Sequence, residues 1–503
     1  MMTQSKPIFN SVLLLTGTMV LVKVLSAIYR VPYQNILGDE GLYAFQQVYP
    51  LVAIVSVVSL NAMPSVMSSW MNNRRQSEIN AMFWFLQVSC LILSAVIFIC
   101  SEWLSRMMGD THLTPMIRMA SLTLIPLVFI AMVRGYYQMQ HQMNTIAISQ
   151  VIDQILRVSV ILFAIVIYVL MDVSVYKAGT IAISGSVIGL SSVAVYFYFK
   201  RRPKLQFSRE IYMKDTKSII MMTVLYAISY LILILWQVVD SFTLIHLLQE
   251  TGYSFHESIR IKGVYDRGAS LIQMGLIVTT TFSFVLIPLL TEQLQKKNDK
   301  LVNEYANTSL KITVLFSMAA AVGLMNLLPL LNTVFFKTNE LIATLSIFML
   351  AVVFVTFIIM YTALLQVKSR RAVLVMALTI GLIIKIVANE VLVAQFGIVG
   401  ASISTILSLA VYTFVLHYYV MKLYKIQSMG LFIMKVITLL IVMSVFVQGV
   451  LFIPTHSRMT SLMLLVLAGI IGVSVVLIGI IKMKILIKDE WQHLPLMDKI
   501  IKE

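Results

Sequence analysis

Cysteine is nearly absent from this chain: Cys90 and Cys100 are the only two among 503 residues. On one helix they would stand about 15 Å apart, too far for a disulfide. Seven histidines are scattered without paired ligand spacing, which argues against a metal centre. No G-x-x-x-x-G-K-[ST] loop, H-E-x-x-H or G-x-S-x-G occurs, so P-loop ATP hydrolysis and two common hydrolase chemistries are excluded. Charge is scarce as well, at 12% of residues against 59% hydrophobic. That balance excludes a soluble globular protein.

What fills the chain is a series of roughly fourteen apolar runs, each near the ~20 helical residues that cross a bilayer core. The runs are continuous rather than alternating, which selects helices over barrel strands. The expected fold is an all-α integral membrane protein of about 14 transmembrane helices. No cleavable signal is visible, because residues 1–7 lead straight into the first run. The net charge of +16 suggests nucleic acid. Yet roughly two thirds of the 38 Lys and Arg fall on one side once the N-terminus is placed inside. The charge is therefore topological: a multi-pass cell-membrane protein with both termini cytoplasmic and no nucleic-acid partner.

A faint repeat runs through the apolar series. Gln138 and Gln366 close the fourth and tenth spans, and Arg157 and Lys385 recur at the same separation in the fifth and eleventh. Pro64 pairs with Pro288, and Gly179-Thr-Ile-Ala with Gly400-Ala-Ser-Ile. Six spans per repeat keep both halves in one orientation, related by an axis along the membrane normal. The expected organisation is an N-terminal lobe over 1–200 (helices 1–6), a basic cytoplasmic linker over 201–218 and a pseudo-symmetric C-terminal lobe over 219–425 (helices 7–12). An added helix pair over 426–484 and a cytoplasmic tail over 485–503 follow. Trp491, Leu494, Met497 and Ile501 among charges suit that tail either to an interfacial amphipathic helix or to a solvated segment.

Cations at membrane depth carry the functional argument, since each is costly in hydrocarbon unless it serves a pathway or finds a partner. Lys23 lies deep in the first span and Arg30 at its outer end. Arg157 is in the fifth span, Arg267 at the outer start of the eighth and Lys385 in the eleventh. Arg118 stands near the outer end of the fourth, where snorkelling explains it. Asp153, Asp240 and Glu390 are the carboxylates at that depth. Asp153 and Arg157 are spaced i, i+4 and can pair on one helix face; Asp240 can neutralise Lys385 if spans seven and eleven touch. Lys23 and Arg267 have no obvious local partner except Asp266. A cation facing a hydrated cleft is a natural ligand for phosphate, and arginine can hold two oxygens at once. Arg30 and Arg267, then Lys23, are the expected anion ligands.

The stretch Val24-Leu-Ser-Ala-Ile-Tyr-Arg-Val-Pro-Tyr-Gln-Asn-Ile-Leu-Gly-Asp-Glu-Gly resembles the opening of the polysaccharide-transporter family. Arg134-Gly-Tyr-Tyr-Gln-Met-Gln, Ser149-Gln-Val-Ile-Asp-Gln-Ile-Leu-Arg, and Tyr265-Asp-Arg-Gly through Ile287-Pro-Leu-Leu continue the likeness. That family lies within the multidrug/oligosaccharidyl-lipid/polysaccharide exporter superfamily, and the style is that of stage V sporulation protein B-like transporters and lipid II flippases. The resemblance implies a V-shaped pair of six-helix lobes with a cationic cleft that exports lipid-linked saccharide diphosphates. It implies phosphate-holding residues in the first span and at the outer start of the eighth, where Arg30 and Arg267 fall, and Lys23 approximately. Some lipid II flippases also bind sodium among spans seven, eleven and twelve. Asp240, Asn389 and Thr405 match parts of that site, whereas Lys385 departs from it because its ammonium would repel a metal cation.

The reading that follows is a flippase carrying a lipid-linked saccharide diphosphate by alternating access, with no cofactor and with sodium or proton coupling left open. Its expected partners are that lipid, the bilayer and cell-envelope assembly proteins. A drug/cation antiporter of the same superfamily is the alternative, although cationic drugs favour carboxylates over lysine and arginine. A membrane-embedded glycosyltransferase or polymerase is a second, but no loop is large enough to carry its acidic catalytic residues.

Overall fold

The computed structural model describes residues 17–18, 21–22, 25–26, 29–72, 74–201, 213–296, 298–426, 429–454 and 457–486. The described residues form helices and short connections, with no strand. Twelve helical segments among them are long and apolar enough to cross a membrane. The first expected run lies mostly outside the described residues. The tail over 487–503 and Lys23 lie outside them altogether.

In chain order the helices are α1 Arg30–Val57, α2 Met63–Met71, α3 Gln76–Ile99, α4 Ser101–Met107, α5 Thr114–Ser121 and α6 Leu127–Met139. There follow α7 Met143–Met171, α8 Val175–Arg201, α9 Met213–Glu250, α10 Phe255–Gln295, α11 Asp299–Leu331 and α12 Ile342–Met349. The last are α13 Ala351–Val367, α14 Arg371–Phe396, α15 Ile398–Leu423, α16 Gly430–Leu451 and α17 Arg458–Lys482. Apolar side chains such as Ile99, Leu170 and Phe452 point outward uncovered, as a lipid-facing surface requires.

Local chemistry sets the ends. Ser254 and Glu257 exchange hydrogen bonds across the first turn of α10, and Ser457 and Thr460 do so at α17. Each pair satisfies amides that a helix start leaves open. Asn298 accepts from the Leu301 amide at the start of α11. Gly397 alone joins α14 to α15, and a Cβ at Gly400 would lie 2.0 Å from Leu392 O.

The chain divides into two compact units, Met1–Asp266 and Arg267–Glu503. The first holds α1–α9 and the opening turns of α10. One of its cores gathers Tyr43, Met116, Ile161 and Ala182, and another gathers Met67, Val128, Leu190 and Phe197. In the second unit Leu315, Val436, Ala468 and Ile480 centre the core.

Among the described residues helical turns run from Arg30 to Leu37, and the break comes at Gly38, whose φ is 74°. The side-chain amide nitrogens of this stretch find local acceptors. Gln34 Nε2 donates to Asp39 Oδ1 at 3.0 Å, and Asn35 Nδ2 to Val31 O at 2.7 Å. Arg30 therefore opens the described helix two turns before the Gly38 break.

Candidate functional site: buried cations of the two units

In the first unit Arg30 is 2% exposed. Its guanidinium carbon lies 5.4 Å from the Tyr49 ring centre, with the Tyr29 hydroxyl also beside it. Aromatic faces attract a cation without neutralising it.

Arg157 Nη2 donates to both Asp153 oxygens, at 2.9 and 3.1 Å, and to Ser56 Oγ at 3.2 Å. The i, i+4 pairing on α7 expected from the sequence is formed. What holds it is the neighbouring helix. Gly185 and Gly189 lie one turn apart on α8, the small-xxx-small spacing that lets membrane helices approach closely. A Cβ at Gly189 would stand 2.4 Å from Asp153 Oδ1, and one at Gly185 2.9 Å from Arg157 O.

Arg134 on α6 is equally buried and was not among the expected site residues. Between α1 and α2 the chain makes a π-turn over Val58–Ala62, in which the Met63 amide reaches back to Val58 O. Continued one residue, that register asks residue 64 to donate to Ser59 O, but residue 64 is proline and has no N–H. Arg134 fills the gap: its Nη1 donates to Ser59 O at 3.1 Å and its Nε to Ser149 Oγ at 3.0 Å. A Cβ on the adjacent Gly135 would be 3.0 Å from Pro64 O, so α6 runs tightly against the bend. Arg134 near a span's inner end reads from sequence as a topological charge. The pairing of Arg134-Gly135 with an upstream proline is the signal that distinguishes it.

The second unit buries Arg267 and Lys385 completely. Arg267 Nη1 donates to Thr338 Oγ1 at 2.7 Å, and its guanidinium carbon lies 5.2 Å from the Phe336 ring centre. Lys385 Nζ donates to Thr405 Oγ1 at 2.7 Å, Asn389 Oδ1 at 3.0 Å and Ser404 Oγ at 3.1 Å, with Ala401 O at 3.5 Å. Asn389 and Ser404 are also hydrogen-bonded to each other. Lys385, Asn389 and Thr405, singled out from the sequence, thus meet in one cluster of oxygens.

The other expected residues are spread out. Asp240 is buried on α9 in the first unit, and Glu390 is exposed on α14. Asp266 pairs with Lys262 one turn earlier, at 2.9 Å. Arg118 donates to Ser101 Oγ from an exposed position. Cys90 and Cys100 are free thiols.

Residues 8–294 match the family described as Polysaccharide biosynthesis protein. The chain belongs to that family. Within it, the sequence is 34% identical over 415 residues to the uncharacterized membrane protein YabM of Bacillus subtilis (strain 168), covering 79% of this chain and 77% of that one. It is 25% identical over 446 residues to the lipid II flippase MurJ of the same organism, covering 78% of this chain and 80% of MurJ. A solved structure of MurJ in an inward closed conformation shares the fold with a TM-score of 0.69 at 16% identity, covering 93% of this chain and 98% of that one. The polysaccharide biosynthesis family places the chain among the polysaccharide transporters of the multidrug/oligosaccharidyl-lipid/polysaccharide exporter superfamily, as its sequence motifs imply. The chain is a multi-pass membrane protein.

Proposed function

We propose that this protein is a flippase that carries a lipid-linked saccharide diphosphate from the inner to the outer leaflet, with both termini cytoplasmic. The observation that carries the reading is the burial of Arg30 and Arg267, at 2% and 0% exposure, among rings and hydroxyls. A guanidinium keeps its charge and a fork of donors that can exchange such neutral contacts for two oxygens of an anion. Membership of the family supports the saccharide half of the proposal. Each cation is covered in this structure, so transport requires a conformation that uncovers it, as alternating access does.

No nucleotide is needed. A diphosphate carries roughly two negative charges, and an inside-negative potential drives anions outward by about 2.3 kcal/mol per charge per 100 mV. That gives about 4–5 kcal/mol of outward bias if the charges move uncompensated. Lys385 supports a drive of this kind. Its ammonium is itself a monovalent cation held by four oxygens, among residues that the family resemblance matches to parts of a sodium site. The same lipid should therefore flip at equal rates in sodium and choline buffers and slow when valinomycin and potassium collapse the potential. A steep sodium requirement contradicts this part of the proposal.

Identity of the cargo is tested by mass spectrometry of a strain depleted of the protein. A lipid-linked saccharide diphosphate is expected to accumulate and to clear on complementation. Depletion that leaves every such intermediate at its normal level removes the reading.

A further inference from the structure

One end of the first unit holds a cavity of ≈ 230 Å³ that the buried cations do not touch. Arg106, Asp110, His112, His246 and Phe255 line it. Its floor is fixed by Asp110, whose carboxylate is shielded from solvent. It accepts hydrogen bonds from the Tyr176 hydroxyl at 2.7 Å, the Tyr43 hydroxyl at 3.4 Å and the His112 amide at 3.0 Å. Gly109, with φ 80°, lets this turn lie on the end of α9; a Cβ there would stand 2.7 Å from Ile245.

Two imidazoles are held in the cavity by one nitrogen each. His112 Nδ1 is 3.0 Å from Asp110 Oδ1, and His246 Nε2 is 3.1 Å from Met107 O. Each acceptor fixes a proton on the nitrogen that faces it, and in the neutral imidazole the second ring nitrogen is then an acceptor. The His112 ring stacks on Tyr176 with centres 5.0 Å apart, and Phe255 lies 6.5 Å away. His112 remains 64% exposed, so this aromatic wall is open. A wall of rings and two acceptor nitrogens, with the Arg106–Glu102 ion pair at the edge, suit a ligand with an apolar face and a rim of hydroxyls. The volume is that of about eight waters at ~30 Å³ each, the room of one sugar ring rather than of a drug-sized molecule.

We infer that this cavity binds one pyranose ring of the cargo's saccharide headgroup, stacked on Phe255 and His112 with hydroxyls donated to the histidines. The inference rests on the proposed saccharide cargo and assigns that headgroup a second point of contact. In the expected topology the cavity lies at the external end, where the headgroup emerges.

Saturation-transfer NMR on the full chain in lipid nanodiscs tests it, with free N-acetylglucosamine as probe and the acyclic polyol mannitol as control. Transfer to the sugar's ring protons should fall about threefold or more in both Phe255→Ala and His246→Ala, the size of one aromatic or hydrogen-bond contact. Mannitol should give little transfer throughout. Equal transfer in wild type and both variants, equal transfer to mannitol, or none to the sugar overturns the inference. Flipping of a lipid-linked diphosphate is scored separately, so failure of sugar binding with flipping intact sinks this site alone.

Discussion

Arg157 and Asp153 illustrate how a membrane helix tolerates charge. Both are largely buried, and each oxygen–nitrogen contact is near 3 Å. Removing one partner strands the other. Asp153→Ala should cost about 3–5 kcal/mol, whereas Asp153→Leu with Arg157→Met should recover most of it. Thermal unfolding of the four members of the cycle in nanodiscs measures the coupling. Additive losses would show that the pair is not a unit. Gly189→Ala strikes the same place from α8, since its new methyl meets both the Asp153 carboxylate and its backbone oxygen. A loss of about 1–3 kcal/mol is expected. Glu257 supplies a pH test away from the membrane. The Ser254 hydroxyl, then the Ser254 amide, hold its carboxylate below the ordinary range. A depressed folded value stabilises above the unfolded one, and the contribution is lost as pH falls through the folded value. Amide exchange in the first turn of α10 should be faster in Glu257→Gln than in wild type near pH 7, and the two should converge below about pH 4. A difference that persists in acid rules out the cap.

At the scale of elements, the bend between α1 and α2 combines a π-turn, a proline without its N–H and an arginine that stands in for it. Alanine at 134 leaves Ser59 O and Ser149 without that donor and should cost about 1–3 kcal/mol. Alanine at 64 restores an amide at the position the register demands. Pro64→Ala should therefore soften the loss caused by Arg134→Ala, and unfolding midpoints of the single and double variants reveal it. Strict additivity would mean that Arg134 acts elsewhere. This bend was only half legible in the sequence. Pro64 announces a break, but the π-turn depends on where α6 packs. The same limit explains Arg30: Tyr33-Gln34-Asn35 has the composition of a loop, and only local hydrogen bonds keep it helical.

Across the described residues, the apolar runs sufficed to give helices and fold class, because a bilayer allows so few solutions. A pair within one helix was legible too, as with Asp153–Arg157, whereas the Lys385–Asn389 bond was not foreseen. Contacts between distant segments were not: nothing in Tyr43, Asp110 and Tyr176 singly foretells that they share hydrogen bonds. Burial of Arg30 in the first unit and Arg267 in the second, beside rings and hydroxyls, is the feature that turns a membrane fold into an anion carrier in this account. Flipping of a fluorescent undecaprenyl-diphosphate saccharide in proteoliposomes tests it most directly. Replacing Arg30 or Arg267 with alanine should slow the initial rate tenfold or more, about 1.4 kcal/mol per tenfold, with lysine at either place restoring part of it. Rates equal to wild type in both alanine variants, with the proteins folded, would contradict the role assigned to these cations.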